Sequence, residues 1–144
     1  MQKKEIGHVE FIKPKSMGPR EWGEETLIGL SPGKYSLKKL FLKAGKKGGL
    51  QYHRLKDETG YLVYGKMIVR HDDGFGNLVE KILKEGDSFR FPPYSVHQEE
   101  ALTDCLIIEA STPHFNDRVR VESEYGLIEE PGLSSTDEND IKTM

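Results

Sequence analysis

Short strand-like segments, each closed by a Gly, Pro or Asp turn, leave this chain few architectures to adopt. Stretches of alternating or β-branched character recur at 7–12, 25–30, 35–43, 50–55, 60–71, 77–83, 87–91, 96–100 and 104–111. Ser31-Pro32-Gly33, Lys46-Lys47-Gly48-Gly49 and Asp72-Asp73-Gly74-Phe75-Gly76-Asn77 separate them, and the last closes a hairpin between 67–70 and 78–81. No stretch carries a sustained helical period. Many short strands at near-regular spacing bury one face each by packing into a sandwich or closing into a barrel. The expectation is an all-β jelly-roll barrel, with residues 115–125 forming a short helix or loop that caps it.

Size and charge narrow the function classes. A chain of 144 residues makes one domain with one core. We place that domain at 1–128 and read the polar, acidic, aperiodic stretch 129–144 as a flexible tail. A hydrophobic share of 35% beside 31% charged residues marks a water-soluble globule. The net charge of −3 offers no basic stripe for nucleic acid. No apolar run approaches the ~20 residues of a membrane span, and the first residues lack a signal-peptide core, so the cytoplasm is the expected setting. The single cysteine, Cys105, lies in the apolar run Cys105-Leu106-Ile107-Ile108 and reads as a buried small hydrophobe.

The chemistry concentrates in two segments. Gln51 and His53 are two residues apart, so on a strand both side chains point to one face. Glu58 follows at the next bend, and His97 arrives after a Gly86…Pro92 frame. Two imidazoles, one carboxylate and one amide oxygen, with coordination positions left over, suit catalytic Zn, Mn, Fe, Co or Ni rather than a closed structural site. His53, Glu58 and His97 are the expected ligands; Gln51 is either a fourth ligand or a hydrogen-bonding neighbour. The plainer readings are histidines satisfied by backbone carbonyls and, since Glu58 follows Lys56-Asp57, a surface carboxylate. Among the other histidines, His71 reads as part of a solvated turn and His8 as exposed, while His114 could face the barrel mouth. Tyr61 is a possible lining residue, and Trp22 a packing anchor.

Gln51-x-His53-x4-Glu58-x6-Gly65 resembles the first motif of the cupins, G-x5-H-x-H-x3-4-E-x6-G, with Gln at the first His. Gly86-x5-Pro92-x-Tyr94-x2-His97 resembles the second, G-x5-P-x-G-x2-H, with Tyr94 at the glycine. Arg20-Glu21-Trp22-Gly23, Lys38-Lys39-Leu40, Leu50-Gln51-Tyr52-His53, Arg118-Val119-Arg120 and Glu124-Tyr125-Gly126 follow in the order seen in type II mannose-6-phosphate isomerases. The resemblance implies a double-stranded β-helix, a divalent metal, and a sugar or sugar phosphate isomerised through a cis-enediol. By family position it assigns Lys38 and Arg120 to phosphate or proton handling, although Lys38 also reads as surface charge. Leu127 stands where that family has its final arginine, and Glu58-Thr59-Gly60 where it has E-H-W. Cupins with such ligands also include iron or nickel dioxygenases, and a barrel without turnover can simply bind a sugar or small acid. Edge strands lead us to expect a homodimer, with residues 1–15 crossing to the partner.

Overall fold

The computed structural model describes residues 5–129 and 139. Eleven strands make up the fold: β1 Lys15–Arg20, β2 Gly23–Ser31, β3 Tyr35–Leu42, β4 Gln51–His53, β5 Glu58–Tyr64, β6 Lys66–Asp72, β7 Leu78–Lys84, β8 Ser88–Phe91, β9 His97–Ala101, β10 Cys105–Ser111 and β11 Arg118–Arg120. A 3-10 turn, Glu122–Tyr125, follows β11. All pairings are antiparallel and form two sheets, one ordered β1-β2-β3-β10-β5-β8 and the other β11-β4-β9-β6-β7. The sheets face each other as a jelly roll around one interior, as the turn-punctuated sequence predicts.

That interior changes character along its axis, and register explains how. On β10 the inward positions are Cys105, Ile107, Glu109 and Ser111. Their partners on β3 are Leu42, Leu40, Lys38 and Ser36. On β5, Leu62 lies opposite Ile107, Gly60 opposite Glu109, and Glu58 opposite Ser111. One end of the barrel is therefore apolar, closed by Leu40, Leu42, Leu62, Met67, Val69, Leu83, Ala101, Cys105 and Ile107, with Trp22 and Phe89 packed against them, while Phe91 of the same cluster lies opposite Glu58. The other end is lined by buried polar and charged groups, and it holds the expected site.

Three sequence expectations need correction. Residues 7–12 form no strand: Val9 and Phe11 are 82% and 95% exposed, and no strand among the described residues pairs with them. The first strand is β1 instead, an edge strand with an irregular register between Ser16 and Pro19. The stretch 60–71 is two strands rather than one, because Gly65 at φ 102° turns the chain where a Cβ would sit 2.3 Å from the Asp104 carbonyl oxygen. Residues 115–125 contribute β11 as well as a turn. Of the expected tail, only Glu129 and Asn139 lie among the described residues. No helix among the described residues is long and apolar enough to cross a membrane.

Candidate metal centre

His53, Glu58 and His97 converge, with one donor atom from each lying within 4.8 Å of the others. His53 comes from β4 and His97 from β9, both in the five-stranded sheet; Glu58 opens β5 in the six-stranded sheet. His97 Nε2 stands 3.5 Å from Glu58 Oε1. Two donors bound about 2.0–2.1 Å from a tetrahedral ion are roughly 3.4 Å apart, so this edge fits.

Both imidazoles have a fixed outward nitrogen. His53 Nδ1 lies 2.9 Å from Asp117 Oδ1, and His97 Nδ1 lies 2.9 Å from the Ser95 carbonyl oxygen. A carbonyl can only accept, so His97 carries its proton on Nδ1 and presents a bare Nε2 lone pair to the interior. The carboxylate does the same for His53. Such partners orient metal-binding histidines and fix their tautomer. Burial lowers the affinity of both rings for a second proton. His97 is held down at about 3; His53 is also lowered, although the Asp117 hydrogen bond works the other way. The Phe91 ring stacks on His97 at 3.8 Å between centroids and 14° between planes.

Asp117 has no sequence motif, yet it organises the site. It is buried, and its Oδ2 accepts the backbone N–H groups of Leu55 and Lys56 at 2.7 and 2.8 Å. Those bonds, with the one to His53, hold its carboxyl down at about 2 although burial alone would raise it. Asp117 thereby closes the loop that carries the chain from His53 to Glu58.

The same loop turns Lys56 inward. Lys56 is buried, and its Nζ is 2.6 Å from both Glu58 Oε2 and Glu109 Oε1. Burial alone would make the ammonium easier to deprotonate; Glu109 and Glu58 together outweigh this and raise its pKa. Glu58 is kept ionised against its own burial chiefly by Lys56. Burial pushes the Glu109 carboxyl up to about 7 and that of Glu99 to about 8, the latter helped by the charges of Glu58 and Glu109.

The remaining expected residues divide. Gln51 lies opposite His97 in register and opposite Arg120 on its other side. Lys38, one of the two readings of which was surface charge, is only 5% exposed; its Nζ is 3.2 Å from Glu25 Oε2 and 4.5 Å above the Phe115 ring. Arg120 is ion-paired to Glu122 and lines a separate cavity of about 350 Å³ with Lys47, Gln98, Leu127 and Ile128. His71 departs from its solvated-turn reading, since it is half-buried directly opposite His97. His114 Nδ1 meets Thr112 Oγ1 at 2.9 Å, and Tyr61, 47% exposed, points outward. Cys105 and Trp22 pack as expected. Arg118, directly across from His53, buries its Nε with no hydrogen-bond partner; burial and the charges of Arg120 and Arg20 work against its charged form. The second motif keeps its backbone although it lacks the glycine: Tyr94 adopts φ 67°, donates its N–H to the His53 carbonyl at 2.7 Å, and stacks its ring on Tyr52.

No family model matches the sequence, and no curated protein matches it. Solved structures do. An RmlC-like cupin from Shewanella frigidimarina superposes with a TM-score of 0.56 at 22% identity, covering 74% of this chain and 90% of that one. The fold is that of a cupin. The capsular polysaccharide assembling protein CapF from Staphylococcus aureus gives a TM-score of 0.67 at 17% identity over 84% of this chain, and KdgF from Halomonas sp. gives 0.52 at 22% over 61%. This chain spans about a third of the length of the CapF chain, 34%, and 76% of KdgF. At these identities the likeness establishes architecture alone.

Proposed function

We propose that this cupin is a metal-dependent enzyme that moves a proton on a small hydroxylated carbonyl compound, as an isomerase of a sugar or sugar phosphate resembling the type II mannose-6-phosphate isomerases. The observation that carries this reading is the charged wall beside His53, Glu58 and His97. Lys38, Lys56, Glu58 and Glu109 are all buried at one end of the barrel, with Ser36 and Ser111 bonded to each other at 2.8 Å between them. An oxygen-activating site calls for a drier, more apolar pocket. Aldose–ketose interconversion calls for polar groups around vicinal oxygens and a carboxyl that carries a proton between adjacent carbons.

A divalent ion held by His53, Glu58 and His97, with Gln51 as a neutral neighbour, would supply Lewis-acid polarisation of the carbonyl. The chain's own groups supply the rest. Glu109 is the carboxyl positioned to carry the proton. Lys38 and Arg118 provide positive charge toward an anionic substituent, and Arg118 has an unmet demand for one. Lys38 and Arg120 are each paired to a carboxylate, Glu25 and Glu122, but Arg120 lines the other cavity, which favours Lys38 over it for the phosphate. CapF is described as a capsular polysaccharide assembling protein, a saccharide setting that agrees with this substrate class.

The test is incubation of Mn²⁺-, Zn²⁺- or Co²⁺-loaded protein with aldose and ketose 6-phosphates in D₂O. Interconversion with solvent deuterium entering C1 or C2 is expected. Oxygen uptake with Fe²⁺ and no exchange would replace the isomerase by a dioxygenase, and a thermal shift with sugar but no product would leave a binding protein. The homodimer belongs to the same reading. Ile6, Val9, Phe11 and Ile12 are exposed along an unpaired arm beside edge strand β1, a surface that a second copy would cover. Light scattering at micromolar concentration should give twice the monomer mass of 16.4 kDa.

A further inference from the structure

We infer that Lys56 is a tethered competitor of the metal ion: its ammonium occupies one face of Glu58 and thereby sets how tightly the cluster holds a divalent cation. This rests on the metal-centre reading above and goes beyond it. The geometry divides Glu58 between two claimants. Oε1 faces His97 Nε2 at 3.5 Å, on the side where an ion would sit, while Oε2 is 2.6 Å from Lys56 Nζ. The ammonium also contacts Glu109 at 2.6 Å and is buried, so it is an internal charge on a side chain that cannot diffuse away. Without an ion, Lys56 already neutralises Glu58. When an ion is added to the histidine side of Glu58, two cations share one carboxylate inside the barrel, where their repulsion is poorly screened.

Two consequences of opposite sign follow. Removing the Lys56 charge leaves Glu58 wholly to the metal, so Lys56→Met and Lys56→Gln should tighten binding by about tenfold or more. Removing the second carboxylate, with Glu109→Gln, leaves Lys56 leaning on Glu58 alone, so metal binding should weaken. In the Lys56→Met background the Glu109 substitution should lose most of that effect, because the residue that transmits it is gone.

Isothermal titration of Mn²⁺ and Zn²⁺ into metal-stripped wild type, the three single variants and the Lys56→Met/Glu109→Gln pair reads these outcomes without any substrate. Thermal melts confirm that each is folded, and Lys56→Gln, which can still hydrogen-bond both carboxyls, stands in if Lys56→Met is not. Equal or weaker binding in both Lys56 variants would overturn the inference and leave the metal centre intact. So would a Glu109→Gln effect of the same size in both backgrounds. No binding in any variant would overturn the metal centre itself, and this inference with it.

Discussion

Asp117 reaches His53 across 64 residues of chain, with Oδ1 2.9 Å from the imidazole Nδ1, while its other oxygen is committed to two backbone N–H groups. One buried carboxylate thus fixes both a ring and the loop beside it. Asp117→Asn keeps the shape and removes the charge. Metal affinity should fall by about 10–100-fold, and stability by about 1–3 kcal/mol as a backbone donor loses its carboxylate. Titration calorimetry and urea melts on one preparation check both. An Asn variant that binds metal like wild type would dismiss the orienting role.

Gly65 and Gly86 separate backbone strain from steric clash. Both have positive φ, 102° and 91°, but a Cβ at Gly86 meets open space whereas one at Gly65 meets Asp104 and Cys105 within 3 Å. Gly86→Ala should cost about 1–2 kcal/mol. Gly65→Ala should cost about 3 kcal/mol or more, since strand geometry must also shift. Equal chemical-denaturation midpoints for the two would contradict the close approach of Gly65 to Asp104 and Cys105.

Glu99 makes stability depend on pH. Its carboxyl titrates at about 8 in the folded chain and near 4.5 when unfolded. The folded state therefore holds the extra proton, so the contribution is full below pH 4.5 and lost as pH rises through 8. His97, lowered to about 3, works in the opposite direction, its contribution being lost as pH falls below 6.5. Glu99→Gln mimics the protonated form and isolates the first effect. In chelator, its melting temperature should match wild type near pH 4.5 and exceed it increasingly toward pH 8. A constant difference across that range would refute the assignment.

Cys105 is fully buried, and burial raises its thiol pKa. A maleimide should leave it unlabelled in the native protein at pH 7.5 and react promptly in denaturant. Fast native labelling would mean that the apolar end of the barrel opens readily.

The strands and the cluster of His53, Glu58 and His97 were legible because each rests on short-range pattern. Turn residues punctuate the strands, and the spacing of His53, Glu58 and His97 survives folding. Lys56 was not legible: between Leu55 and Asp57 it looks like a solvated charge, and only the Asp117 bonds to the loop turn it inward. Glu109 did carry a signal, since it occupies the inward phase of Cys105-Leu106-Ile107-Ile108-Glu109, where a charge breaks the apolar pattern. β1 was hidden by Gly18 and Pro19, which an edge strand tolerates at an irregularity. The apolar residues within 7–12 mimicked a strand, yet no strand among the described residues pairs with them.

The two histidines ride on one sheet, and Glu58 and Glu109 on the other. Whatever bridges them acts as a rivet through both layers of the barrel. Lys56 grips only the carboxylate layer, whereas an ion on the histidines would span both. Filling the centre would then change how freely the sheets slide past each other, and the mechanical stiffness of the whole barrel would report on the occupancy of a few cubic ångströms at one end.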